Sequence, residues 1–224
     1  MIEVEILATN GFEAAIQGMR NPMNSWDKSD SGWTFPIDLD EESVFFIGPE
    51  DMKLAMRLAS NGPVHGKFKR MMIVWMNITA PLYWWKEFDT YKVGTVANSC
   101  STMHKIHSKE FTLDDFSHEQ LSGTSENVLK TTIETLNMYR NLFNKNKENS
   151  HFPEDAKFYW WQMIQLLPSS YNQLRTVMLN YEVLTNIYEY RKDHKLDEWR
   201  KFCDICSALL PYPQFFTGAK VDET

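Results

Sequence analysis

The chain has 224 residues, enough for one large domain with a substantial core. A formal net charge of -7 argues against nonspecific nucleic-acid binding through a basic surface, so no nucleic-acid partner is expected. No apolar run approaches the ~20 residues that cross a bilayer, so no membrane partner is expected either.

Ile2–Ala8 alternates with β-branched residues and reads as a strand. Thr9-Asn10-Gly11 is a turn, and Phe12–Arg20 a helix. Residues 21–42 are rich in Asn, Ser, Asp, Gly and Pro and read as a long loop, with Trp26 and Trp33 folded back as anchors. Ser43–Ile47 is a short strand, and Pro49–Ser60 a helix with Glu50 and Asp51 in its first turn, where the helix dipole favours acids. Lys67–Thr79, carrying the apolar run Met71 to Met76, is the longest strand candidate, and Ala80–Thr90 an aromatic helix. Residues 93–102 are Gly/Thr/Ser/Asn-rich and read as a loop facing a ligand. Thr124–Asn144 is an amphipathic helix presenting Val128, Thr132, Ile133, Leu136, Tyr139 and Phe143 on one face. A polar segment to Ser150 follows, then a helix over Pro153–Leu166, a strand over Ser169–Leu179, helices over Tyr181–Lys192 and Leu196–Leu209, and a loose tail over 211–224. Helix and strand intermix without regular βαβ units, which points to an α+β fold in a single domain, 1–224.

Few sequence motifs carry chemistry. Neither a G-x-G-x-x-G nor a P-loop is present, so a Rossmann or nucleotide-hydrolase reading has no support. Three cysteines, Cys100, Cys203 and Cys206, are an odd, low count that points to a reducing compartment. The N-terminus MIEVEILATNG is acidic and alternating, unlike a signal peptide, so a cytoplasmic location is expected. Cys203-Asp-Ile-Cys206 reads as two small buried residues one helical turn apart, because no second Cys/His pair sits at zinc spacing. His104 and His107 lack a third ligand nearby in sequence, so no metal is expected. Aromatic residues make up 14% of the chain; Trp84-Trp85 and Trp160-Trp161 read as core packing or as surfaces buried against another copy.

The stretch from Leu167-Pro168 through Asn180 to the helix ending Tyr190-Arg191 resembles the C-terminal signature of the flavin-dependent thymidylate synthases. That pattern is Leu-Pro, a strand, an Asn, then a helix ending Phe-Leu-x-Leu-Arg, and the spacing from Leu167 to Arg191 fits without a gap. His194-Lys-Leu-Asp-Glu198-Trp-Arg200 resembles the family's His-Ala-Gln-x-Glu-Ile-Arg, displaced by one residue. Asn61-Gly62-Pro63-Val64-His65 is similar to its Gly-His-x-Ser-x-x-Glu-His region, and Lys67–Thr79 running into Ala80-Pro81 to the strand before its cofactor helix. The resemblance spans nearly the whole chain, and its specific part is the C-terminal quarter. It implies a mixed sheet with a long-helix bundle and a homotetramer with active sites at subunit interfaces.

The hallmark Arg-His-Arg-x7-Ser is degenerate here. It falls on Thr90-Tyr91-Lys92, with the final Ser at Cys100 ungapped or at Ser101 with one insertion. The Gln before it is Glu87, and the Arg two after the Asn is Glu182. Each charge-assisted hydrogen bond lost from a phosphate site is worth roughly 1.5–3 kcal/mol. Two or three such losses would move a micromolar ligand toward millimolar. The resemblance implies that His65, Tyr91, Lys92, Asn180 and Asn186 face FAD, that Glu87, Cys100, Ser101 and Arg191 face a pyrimidine nucleotide, and that Arg191 polarises the base. Read without it, Arg191 is a cation suiting a helix C-terminus, Asn180 a helix N-cap, His65 a solvated loop residue, and Tyr91 and Lys92 the end of an aromatic helix.

Two functions of different class follow. One is an enzyme that uses reduced FAD and methylenetetrahydrofolate, with NADPH as reductant, to place a one-carbon unit on C5 of dUMP or a related nucleotide. The other is a non-catalytic homologue that keeps the scaffold for binding or regulation.

Overall fold

The computed structural model describes residues 2–34, 43–147 and 153–218. The fold is α+β, as expected. A four-stranded sheet has the order β1-β4-β6-β5, with β1 at Glu3–Asn10, β4 at Ile73–Pro81, β6 at Asn172–Asn180 and β5 at Thr95–Ser99. A second, two-stranded antiparallel sheet joins β2 (Gly32–Trp33) to β3 (Phe45–Phe46). In β4 every second residue, Val74, Met76, Ile78 and Ala80, is fully buried, the period-2 pattern of a strand with one face on a core.

The chain divides into two compact units. The first comprises Met1–Glu3, Ile78–Thr90 and Asn98–Arg175. It contains α3 (Leu82–Phe88), α4 (Thr102–Lys105), α5 (Gly123–Lys147) and α6 (Pro153–Leu166). Its long-helix core is Ile106, Phe111, Phe116, Leu129, Ile133, Leu136 and Met163. The buried stripe of α5 is therefore Leu129, Ile133 and Leu136; Val128, expected on that face, is 64% exposed. Trp84 and Trp85 are buried core residues of α3, with ring centroids 4.9 Å apart. Trp160 is half-buried, and its indole donates to the Met103 carbonyl, whereas Trp161 is exposed.

The second unit comprises Val4–Asn77, Tyr91–Ala97 and Thr176–Thr224. It contains α1 (Phe12–Arg20), α2 (Pro49–Ser60), α7 (Tyr181–Arg191), α8 (Asp197–Leu209) and α9 (Gln214–Thr217). Trp26 and Trp33 are about half exposed; the Trp26 indole donates to the Asn21 side chain at 2.7 Å and Trp33 packs edge-on against Phe45. The buried anchor of the segment is polar. Buried Asp51 takes an ion pair from buried Arg20 at 2.5 Å and hydrogen bonds from the Ser29 and Ser31 hydroxyls. Asp30 caps α2 by accepting from the backbone N–H groups of Glu50 and Asp51. A Cβ on Gly48 would lie 2.3 Å from the Asp30 carboxyl carbon, so only glycine leaves room for that cap. Residues 35–42 of the expected loop lie outside the described residues.

Three further expectations change. Residues 66–71 form a 3-10 turn, so β4 begins six residues later than the expected Lys67 and runs on to Pro81. Thr95–Ser99, expected as loop, is strand β5 at the sheet edge. The tail expected to be loose forms α9, with Phe215 and Phe216 buried against Phe68 and Tyr181; residues 219–224 lie outside the described residues.

Candidate functional site

Strand β6 runs into α7 without a loop. Asn180, the last strand residue, turns its side-chain carbonyl onto the N–H groups of Glu182 and Val183 at 3.1 and 3.0 Å. This is an N-cap, as the residue type alone suggested. Tyr181 is fully buried between Phe12 and Phe216, and its hydroxyl donates to the Pro211 carbonyl at 2.5 Å. Burial raises the pKa of that phenol far above its usual range. The start of α7 is thus fixed by a polar cap and an apolar pin.

At the other end of α7, Arg191 lies half-buried in an aromatic nest. Its guanidinium sits over Trp199 at 4.8 Å and over Tyr91 at 5.7 Å. Nε donates to the Tyr91 hydroxyl at 2.9 Å, and Nη1 lies 3.0 Å from Nε2 of His194. The backbone N–H of Leu196 also approaches the same imidazole, at Nδ1, 3.2 Å away. A neutral imidazole accepts at one nitrogen only, so the tautomer decides which of the two contacts is a hydrogen bond. The result is a cation positioned by two rings, the Tyr91 hydroxyl and the His194 imidazole.

Gly94, three residues after Tyr91, has φ +79°, and a Cβ there would come 2.6 Å from the Asn180 amide nitrogen. Glycine at this position lets the loop pass close over the N-cap. Sequence reading missed Gly94, His194 and Trp199 as members of this cluster. Each left a signal: His194 and Trp199 in the motif-like His194–Arg200 stretch, Trp199 also on the buried face of amphipathic α8, and Gly94 in the Gly/Thr/Ser/Asn-rich 93–102 segment.

A cleft of about 1420 Å³ opens among α1, α2 and the 66–71 turn of the same unit. Its walls include Met19, Leu54 and Phe68, and its rim carries Lys28, Arg57, His65, Lys67 and Arg70 against the single acid Glu50. His65 is exposed at this rim. Arg70 also forms a two-pronged ion pair with Glu182, at 2.5 and 2.9 Å, so the acid at 182 is neutralised by a neighbour. Lys92 and Asn186 are exposed.

Glu87, Cys100 and Ser101 belong to the other unit. Ser101 caps the short α4 by accepting from the His104 N–H at 3.0 Å. Cys100 is exposed, and its backbone pairs with β6 through the Leu174 carbonyl and the Gln173 amide. Cys203 and Cys206 are buried free thiols, and burial pushes Cys203 up to about 12 and Cys206 higher still, which makes both poor nucleophiles. Among the described residues no group of three or more His, Cys, Asp or Glu side chains converges on a metal position. No helix among them is long and apolar enough to cross a membrane.

No protein-family model matches the chain, and no curated protein does. Solved structures do. Thymidylate synthase X (ThyX) of Helicobacter pylori, solved with FAD and dUMP, superposes at TM-score 0.66 and 17% identity, with 97% of each chain covered. Another H. pylori structure, also with FAD and dUMP, gives 0.65 and 17% over 96% of this chain and 97% of that one. The chain has the fold of the flavin-dependent thymidylate synthases. A UMP/dUMP methylase, PolB from Streptomyces cacaoi bound with 5-Br dUMP, shares it at TM-score 0.59 and 12% identity, over 97% of this chain and 95% of that chain. The resemblance noted over Leu167–Arg191 thus extends, at the level of ThyX architecture, to nearly the full length.

Proposed function

We propose that the protein is a flavin-dependent enzyme of thymidylate synthase type, which places a one-carbon unit on C5 of a pyrimidine nucleotide, dUMP or a variant of it. The observation that carries this reading is the Arg191 cluster. A guanidinium held against Trp199 and Tyr91, with Nε and Nη1 turned to Tyr91 and His194, is pre-organised to polarise a carbonyl of a pyrimidine ring. Its orientation is set before substrate arrives, so little reorganisation is needed during reaction.

The cationic cleft supports the flavin part of the reading. A dinucleotide needs a roomy apolar trough and cations for its diphosphate, and the cleft offers Met19, Leu54 and Phe68 with Arg57 and Lys67, and the His65 imidazole beside them. These cations compensate for arginines absent from the hallmark segment. Reduced FAD, when bound, would supply the reducing equivalents that turn a methylene from methylenetetrahydrofolate into a methyl group, with NADPH as the upstream reductant. This chain's part is to hold: Arg191 the base, the cleft cations the phosphates, and Lys92 and Asn186 the exposed margin. Glu87, Cys100 and Ser101 are proposed on the nucleotide side, and Tyr91 and Asn180 on the flavin side. A cytoplasmic homotetramer goes with this reading, and exposed Phe158 and Trp161 offer apolar surface for self-association.

One observation favours a second reading, a non-catalytic nucleotide-binding homologue. The Asn180 carbonyl is engaged as a helix cap and the Tyr91 hydroxyl holds Arg191, so both groups already have structural employment. Arg191→Ala tests the first reading. It is expected to lose dUMP binding by about tenfold or more while FAD binding changes little; equal loss of both would contradict the role given to Arg191. Turnover of dUMP with FAD, NADPH and methylenetetrahydrofolate separates the enzyme from the binding protein.

A further inference from the structure

A second, smaller cavity of about 260 Å³ lies among α2, α7, α9 and the 66–71 turn, and it contains an anomaly of charge. Lys69, on its wall, is only 5% exposed. Lysine is almost never buried to this degree without a paired acid. Among the described residues, the hydrogen bond its ammonium makes is to the Thr185 hydroxyl, at 2.8 Å. That hydroxyl spends its own proton on the Tyr181 carbonyl at 2.8 Å, so it faces Lys69 as an acceptor. An ammonium has three N–H groups, and one is used here. The nearby carboxylate of Glu182 is held by Arg70. Burial pushes the Lys69 pKa down, and the charge of Glu182 opposes this.

The rest of the cavity wall limits what a counter-ion there can be. Met56, Phe215 and Phe216 supply an apolar side. The volume falls just below the ~300 Å³ at which drug-sized pockets begin. Glu189 and Lys192, one acid and one base, also line the cavity, and Lys69 is the deeply buried charge among the lining residues.

We propose that this cavity binds a short-chain monocarboxylate, its carboxylate on the free N–H groups of the Lys69 ammonium, its chain against Met56, Phe215 and Phe216. The site shares no residue with the Arg191 cluster and stands whether or not the chain binds a nucleotide. Because Lys69 also donates to Thr185 of α7, occupancy ties the ligand through that lysine to the helix that carries Arg191.

The test is thermal unfolding of the full chain with butyrate and with its neutral isostere butyramide. Butyrate at roughly fivefold above its dissociation constant is expected to raise Tm by about 2–4 °C, with no response to butyramide. Lys69→Met is expected to abolish the butyrate response. No response in the wild type, an equal response to butyramide, or a response retained in Lys69→Met would each overturn the proposal. Should Lys69→Met fail to fold, carbon-labelled lysine in the wild type gives the same answer by NMR. One lysine Cε signal should move with butyrate and not with butyramide, and an unmoved spectrum would overturn the proposal.

Discussion

The Nε of Arg191 donates to the Tyr91 hydroxyl at 2.9 Å, across 100 residues of sequence. This bond joins the Thr90–Ser101 segment to the end of the Leu167–Arg191 one. It gives Tyr91 a role beside the proposed flavin contact, that of positioning the cation. Tyr91→Phe keeps the ring beneath the guanidinium and removes only the acceptor. Loss of a hydrogen bond to a charged group is worth roughly 1.5–3 kcal/mol, so dUMP affinity should fall by about tenfold or more. Calorimetric titration checks this, and unchanged affinity would separate Tyr91 from Arg191.

Gly94 should tolerate no side chain. Its φ of +79° and the 2.6 Å approach to the Asn180 amide act together. Gly94→Ala is expected to destabilise by roughly 1–3 kcal/mol, or to loosen the α7 cap. Denaturant unfolding measures the first, and amide exchange at Glu182 and Val183 the second.

The Arg20–Asp51 pair should govern stability in acid. Burial alone would raise the Asp51 pKa, but hydrogen bonds from Ser29, Ser31 and Arg20, with the Arg20 charge, hold it below its usual 3.8. A carboxyl depressed in the folded state contributes stability that is present above its unfolded pKa and lost as pH falls through the folded one. Unfolding free energy should therefore decline below about pH 4, and Asp51→Asn should remove that part of the slope. At neutral pH the same variant leaves a buried Arg20 without its acid, at a cost of roughly 3–5 kcal/mol. Urea titrations at a series of pH values measure both effects.

Arg70 is expected to be a cleft cation held in check. Glu182→Gln breaks its two-pronged ion pair and frees the guanidinium for a phosphate. Affinity for an anionic dinucleotide should rise, by up to about tenfold. Fluorescence titration with FAD reads the direction, and a decrease would mean that Arg70 serves the structure alone.

Sequence order carried much of this fold, and the reasons for its failures are physical. The β6–α7 junction was legible because Asn180 is both a strand end and a preferred cap, and an apolar period of two gives way there to a helical one. Strand β5 was not, because an edge strand with four of five residues exposed needs no apolar alternation. The turn before β4 imitated a strand because Phe68 and Lys69 are both buried, and a buried lysine reads as a surface residue in one dimension. The anchor at Asp51 was invisible for the same reason: its partners Arg20, Ser29 and Ser31 are polar residues in a polar stretch. Of the site, Arg191, Asn180 and Tyr91 were legible through the spacing of the motifs they resemble. His194, Trp199 and Gly94 depend on how the chain returns upon itself.

The central claim is a flavin and pyrimidine site built around Arg191, and the most direct test is optical. The purified chain, incubated with FAD and freed of excess, should retain a flavin absorption band, and adding dUMP should perturb it. In Arg191→Ala the band should persist and the dUMP perturbation should vanish. A wild-type protein that stays colourless after FAD would contradict the account.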